Sequence, residues 1–171
     1  IKLKTIEKVI YTSSAAVYGN SSLKNSENSN LKPLSPYAHS KIQNEIMAEK
    51  YSKQSRIKFI GFRFFNIFGR NQNLNSQYSS VISKWVNKLK NKKKIEIFGD
   101  GYTSRDFCYV KNVVFFILVS FTKNFARHEI FNLACGKSIT LNNLAKILIF
   151  HIKKKKSFLK FVKYKNFKKG D

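Results

Sequence analysis

Tyr37 and Lys41 stand four residues apart, a spacing that on a helix stacks both side chains on one face. The pairing is chemically useful. A free tyrosine ionises near pH 10, and a cation beside it favours the phenolate. Such a tyrosine can take a proton from a hydroxyl as a general base. The spacing alone selects nothing: 8 tyrosines and 28 lysines (33 Lys and Arg less 5 Arg) give roughly one match by chance. A second match, Tyr164 and Lys168, lies in a basic tail and is read as that accident. The first is set apart by what precedes it, a strand ending in Ser13-Ser14 and a helix opening at Ser35-Pro36.

The elements that must position this pair follow from patterning. Lys8–Ser14 reads as a buried strand, and Gly19–Pro36, rich in Asn and Ser, as a loop. The helix opened by Pro36 runs through Tyr51, with Ile42, Ile46 and Met47 at helical spacing. Ile57–Phe65 is the near-continuous apolar run of a buried parallel strand. Tyr78–Lys90 predicts a helix through Val81, Ile82, Trp85, Val86 and Leu89. Ile95–Phe98 predicts a strand ending at the turn Gly99-Asp100-Gly101. Val110–Phe121 predicts a buried helix, Glu129–Ala134 a strand, Thr140–Ile149 a capped helix and Phe158–Tyr164 a strand. Strands alternating with helices mean an α/β protein. No internal repeat is present. None of the 7 glycines forms GxGxxG or GxxGxxG, so the dinucleotide-binding turn is absent from this sequence.

The formal net charge of +24 raises the question of nucleic acid. Lysine dominates, with arginine only at positions 56, 63, 70, 105 and 127, alongside many Asn, Ile, Phe and Ser. That mixture fits AT-rich coding better than a base reader, which leans on the planar arginine fork. Nucleic acid is not the expected partner. Cys108 and Cys135 form no CxxC, and His39, His128 and His151 are scattered, so no metal site is expected. No apolar run approaches a membrane span, and Lys8–Ser14 lacks a signal-peptide pattern. A soluble, cytoplasmic protein is expected.

Six blocks then occur in order. They are Ser13-Ser14-Ala15-Ala16-Val17-Tyr18-Gly19, Pro36-Tyr37-Ala38-His39-Ser40-Lys41 and Arg63-Phe64-Phe65-Asn66-Ile67-Phe68-Gly69. Phe98-Gly99-Asp100-Gly101 with Ser104-Arg105-Asp106-Phe107, then Phe131-Asn132-Leu133-Ala134, then Lys168-Lys169-Gly170-Asp171 complete the set. Together they resemble the SS(A/T)xVYG, PYxxSK, RxFNxxG, FGDGxxxRDF, (Y/F)N(L/I)(A/G) and xxGD segments of the extended short-chain dehydrogenases/reductases, the NAD-dependent epimerases and dehydratases. The likeness spans nearly the whole chain and corresponds to the C-terminal half of such an enzyme.

That resemblance implies a fold and a division of labour. Residues 1–69 would be the C-terminal part of an NAD-binding Rossmann domain with a partial parallel sheet. Residues 70–171 would be mostly a small α/β nucleotide-sugar-binding region, whose last elements return to the Rossmann core. Ser14, Tyr37 and Lys41 would be catalytic: Ser14 shares a proton with Tyr37, and Lys41 grips the nicotinamide ribose. Phe65 would lie by the nicotinamide of NAD. Asn66 and Arg105 would hold the diphosphate of a UDP-sugar, Ser80 and Val81 would border the nucleotide, and Glu96 and Phe98 would contact the uracil. Lys168 and Asp171 would complete the substrate site. Relatives that dehydrate place Asp-Glu after the strand serine; here Ala15 and Ala16 stand there, which points to 4-epimerisation. The block from Gly69 to Trp85 looks most like bacterial enzymes acting on UDP-N-acetylhexosamines or their uronic acids. A homodimer, a separate N-terminal half and inactivity of this chain alone are expected. A non-catalytic nucleotide-sugar-binding protein is the alternative, and a basic nucleic-acid binder the next.

Overall fold

The computed structural model describes residues 5–20, 25–74, 76, 79–153, 155 and 158–163. In chain order the elements are β1 (Lys8–Ser14), α1 (Pro36–Gln54), β2 (Lys58–Phe64), β3 (Asn66–Phe68), α2 (Val81–Lys90), β4 (Ile95–Phe98), β5 (Ser104–Tyr109), α3 (Val110–Thr122), β6 (His128–Leu133), β7 (Ser138–Thr140), α4 (Leu141–His151) and β8 (Leu159–Val162). The protein is α/β, as the alternating pattern requires. It forms two units. Among the described residues the first takes the chain up to Phe65 and then Asn112–Leu133; the second takes Asn66–Lys111 and the chain from Ala134 onward.

The first unit is a parallel sheet of order β1-β2-β6. Val9 pairs with Phe59, and Phe59 with His128; Ser14 pairs with Phe64, and Phe64 with Leu133. Parallel strands need a crossover, and α1 supplies it between β1 and β2. Ser35 caps α1 by accepting from the Ala38 N–H at 3.2 Å, and Pro36 takes the first helical position. The apolar stripe of α1 is not its inner face. Ile46 and Met47 are 50% and 53% exposed, whereas Ala38, Glu45, Ala48 and Ser52 are buried. Small side chains let the helix lie close to the sheet, and one buried carboxylate finds a partner there.

The expectation of a buried helix over Val110–Phe121 is corrected in the same way. Helix α3 forms, but Val114, Phe115, Phe116, Leu118 and Phe121 are exposed, and only Val113 and Ser120 are buried. An apolar sequence fixes the helix without fixing which neighbours cover it. Its C-terminal end is held by Lys8, whose Nζ donates to the carbonyls of Ser120 (2.7 Å), Phe121 (3.1 Å) and Lys123 (2.9 Å). A cation is favoured at that end of a helix.

The second unit has its own core, made of Trp85 and Leu89 from α2, Ile95 and Ile97 from β4, and Leu144, Ala145 and Ile149 from α4. Strand β4 pairs in parallel with β8, and β5 lies between β3 (parallel) and β7 (antiparallel). The three-residue strands β3 and β7, and the charged strand β5, are additions to the elements expected from patterning. Tyr78, Tyr164, Lys168 and Asp171, which bounded expected elements or belonged to the expected site, lie outside the described residues.

Candidate active site

In the first unit the sheet and α1 bring Ser14, Tyr37 and Lys41 to the carboxyl end of β1. Ser14 is the last residue of that strand and caps the short 3-10 turn Ala15–Tyr18, its Oγ accepting from the Ala16 N–H at 3.2 Å. Tyr37 and Lys41 share the first turns of α1, and the Lys41 ammonium lies 5.5 Å from the centre of the Tyr37 ring. Lys41 Nζ also donates to the Thr12 carbonyl (3.1 Å) and hydroxyl (3.5 Å), which ties the helix to β1 two residues before Ser14. Tyr37 is 37% exposed, so its ring edge can meet a ligand. Phe65 follows β2, its N–H donating to the Leu133 carbonyl at 3.3 Å.

Beneath these residues lies a buried polar network that sequence reading had not assigned. Arg63 points from β2 to Glu45 of α1, with Nη2 2.8 Å from Oε2 and Nε 2.9 Å from Oε1. The hydroxyl of Ser13 donates to the same carboxylate at 2.5 Å. Arg63 Nη1 donates to the Tyr18 hydroxyl (2.8 Å) and the Glu27 carbonyl (2.9 Å), and Tyr18 passes a hydrogen bond on to Asn132 (2.7 Å). Burial works against the Arg63 charge; the bonds to Glu45 and Tyr18 outweigh it and hold the guanidinium more firmly protonated than an ordinary arginine. One signal was in the sequence: an arginine inside an otherwise apolar strand requires a partner, and Glu45 stands one turn beyond Lys41 on the same helix.

The second unit places the other expected residues in two groups. The Asn66 side chain donates to the Asp106 carbonyl at 2.9 Å, and Asn66 pairs with Phe107, so Asn66 and Arg105 lie in neighbouring strands. Arg105 is exposed and its guanidinium donates to the Ser104 carbonyl at 3.0 Å. Among the described residues it forms no ion pair, and Asp106 instead accepts from the Cys135 N–H. On β4 the core takes Ile95 and Ile97, which turns Glu96 and Phe98 to the opposite face. Glu96 meets Lys88 at 2.9 Å, and that hydrogen bond and charge hold its carboxyl below the usual range. Ser80 is the N-cap of α2, accepting from the Ile82 N–H at 3.3 Å, and Val81 is its first helical residue.

Open parallel sheets bind their ligands beyond the carboxyl ends of the strands, which is where Ser14, Tyr37 and Lys41 stand. The NAD dependent epimerase/dehydratase family model matches residues 1–134, and the chain belongs to that family. An uncharacterized protein of Methanocaldococcus jannaschii is 38% identical over 158 residues, covering 90% of this chain and 47% of its own. The dTDP-4-dehydro-6-deoxyglucose reductase of Escherichia coli is 34% identical over 151 residues, with 87% of this chain and 47% of its own covered. Among solved structures, the UDP-N-acetylglucosamine 4-epimerase from Methanobrevibacter ruminantium in complex with UDP-N-acetylmuramic acid is 36% identical at a TM-score of 0.84, covering 97% of this chain and 52% of its own. The chain spans about half the length of these relatives. No helix among the described residues is long and apolar enough to cross a membrane.

Proposed function

We propose that this chain provides the catalytic and substrate-binding side of an NAD-dependent nucleotide-sugar 4-epimerase, and that it does not turn over by itself. The observation that carries the reading is the Tyr37–Lys41 pair fastened to the end of β1 beside Ser14. The donor set fits a nicotinamide cofactor: the Lys41 ammonium carries three N–H groups, Thr12 accepts from it at its carbonyl and hydroxyl, and a remaining N–H would serve a ribose hydroxyl. Bound NAD would supply reversible hydride acceptance from C4 of the sugar.

The chain's own residues then move the proton. Tyr37, with the Lys41 ammonium 5.5 Å from its ring centre, takes the proton of the 4-hydroxyl, and the Ser14 hydroxyl bridges the two oxygens. Tyr37 would return the same proton to the 4-oxygen once the sugar has turned its other face. Phe65 borders the nicotinamide, Asn66 and Arg105 hold the diphosphate of a UDP-hexose or UDP-N-acetylhexosamine, Ser80 and Val81 border the nucleotide, and Glu96 and Phe98 face the uracil, with Lys168 and Asp171 completing the substrate set. Ala15 and Ala16, after the strand serine, carry no group able to remove water from the sugar, which supports epimerisation over dehydration. Residues 1–69 are read as the NAD-domain portion, and the assembled enzyme as a homodimer. The test is a joined protein: this chain fused to a family N-terminal half, given NAD and a UDP-hexose, should invert C4 without net NADH or loss of water. A dehydrated product or stoichiometric NADH would overturn the reading.

A further inference from the structure

We propose that Cys108 and Cys135 form a reversible disulfide, a redox-modification site within the second unit that is separate from the proposed chemistry of the first. Three observations bring the two thiols together. Strand β5 pairs antiparallel with β7, with Ser104 opposite Thr140 and Asp106 opposite Ser138. Asp106, the last residue of β5 paired with β7, stands two residues before Cys108, and ahead of β7 the chain bends at Gly136, with Cys135 just before the bend. Asp106 and Cys108, two apart on β5, present their side chains to one face. The Asp106 carboxylate accepts from the Cys135 N–H at 2.9 Å, which fastens Cys135 on that face. The Cys108 thiol donates to the Tyr109 carbonyl at 3.9 Å, and burial first, then nearby Cys135 and Asp106, push it up to about 11. Gly136 holds the turn at a φ of 73°, and nothing lies within 4 Å of where a Cβ would stand, so the turn is not packed over on that side.

Access divides the roles. Cys135 is exposed and Cys108 is buried. The Cys135 thiolate attacks a small-molecule disulfide, releasing one thiolate and leaving a mixed disulfide. The Cys108 thiol loses its proton to solvent and attacks Sγ of Cys135, forming the protein disulfide and expelling the second small thiolate. The protein loses two electrons and two protons, and the external disulfide becomes two thiols. The closed bond ties β5, the strand that carries Arg105, to the turn at Gly136.

The experiment equilibrates the full chain in graded mixtures of reduced and oxidised glutathione, quenches with acid and maps peptides without reduction, in buffer and in guanidinium chloride. A Cys108–Cys135 peptide pair is expected in buffer, with an effective thiol concentration at least about tenfold above that of the denatured chain. The closing step should speed up as pH rises, because Cys108 must ionise. Glutathione on Cys135 beside a free Cys108 thiol, disulfides between chains, or equal values with and without guanidinium would each overturn the proposal.

Discussion

Glu45 and Arg63 meet through two parallel hydrogen bonds, 2.8 and 2.9 Å long, inside the first unit, with side chains only 6% and 5% exposed. Removing one partner of such a pair leaves an uncompensated buried charge, at a cost of about 3–5 kcal/mol. Glu45→Gln should therefore lower the urea midpoint steeply. Glu49→Gln, which breaks the exposed pair with Lys53, should cost less than about 1 kcal/mol. Glu45→Leu with Arg63→Met should recover much of the loss in the same urea titration. Equal effects of the two single Glu→Gln substitutions would contradict the burial of the pair.

Tyr11 reaches across β2 to His128, its hydroxyl 2.8 Å from Nε2, with the rings stacked. Gly61 is the β2 residue paired with Tyr11, and on its other side it pairs with Ile130, two residues beyond His128; a Cβ there would stand 2.6 Å from the Tyr11 ring. Gly61→Ala should displace the ring and destabilise the chain by about 1–3 kcal/mol. A thermal melt unchanged by the substitution would remove Tyr11 from that position.

The burial of His128 gives a pH dependence. Burial lowers the His128 pKa below its ordinary 6.5, and the charges of Glu49 and Glu45 only partly oppose it. The unfolded chain then binds more protons than the folded one between that lowered value and 6.5. The stability from His128 is present above pH 6.5 and is lost as pH falls below it. Glu49 and Glu96, held below 4.5 by Lys53 and Lys88, lose their contribution only under 4.5, so the windows separate. His128→Gln should flatten the urea midpoint between pH 7 and 5 and leave the drop below 4.5. A wild-type midpoint that is flat from pH 7 to 5 would sink this assignment.

Much of this architecture was legible in the sequence, and the failures have physical causes. Lys8–Ser14 and Ile95–Phe98 form strands with the expected bounds, because β-branched and aromatic runs closed by small residues or glycine have few alternatives. The helical stacking of Tyr37 and Lys41 follows from spacing and the Ser35-Pro36 start. Strands β3 and β7 escaped because three residues carry no period, and β5 because Ser104-Arg105-Asp106 reads as a polar loop. The inner face of α1 escaped because hydrophobic periodicity selects Ile46 and Met47, while the sheet accepts Ala38, Ala48 and a carboxylate paired with Arg63. The second tyrosine match, Tyr164 and Lys168, lies outside the described residues.

Arg105 tests whether the second unit binds a diphosphate. Its exposed guanidinium can make two charge-assisted bonds, worth roughly 1.5–3 kcal/mol each. In the joined enzyme, Arg105→Ala should weaken UDP binding at least about tenfold, which needs only about 1.4 kcal/mol. Arg105→Lys should recover part of it, since an ammonium lacks the planar fork. Calorimetry with UDP and a thermal melt on the same samples decide: unchanged affinity with a lowered melting temperature would make Arg105 a structural residue.

The central claim is that Tyr37 moves the proton. The most direct measurement is the rate of C4 inversion of a UDP-hexose by the joined enzyme carrying Tyr37→Phe or Tyr164→Phe, with UDP affinity measured alongside. Loss of the Tyr37 hydroxyl should cut turnover by a factor of roughly 10²–10⁴ while affinity for UDP stays close to that of the parent, and Tyr164→Phe should change neither. Turnover by Tyr37→Phe at the parent rate, or equal losses in the two variants, would contradict the account.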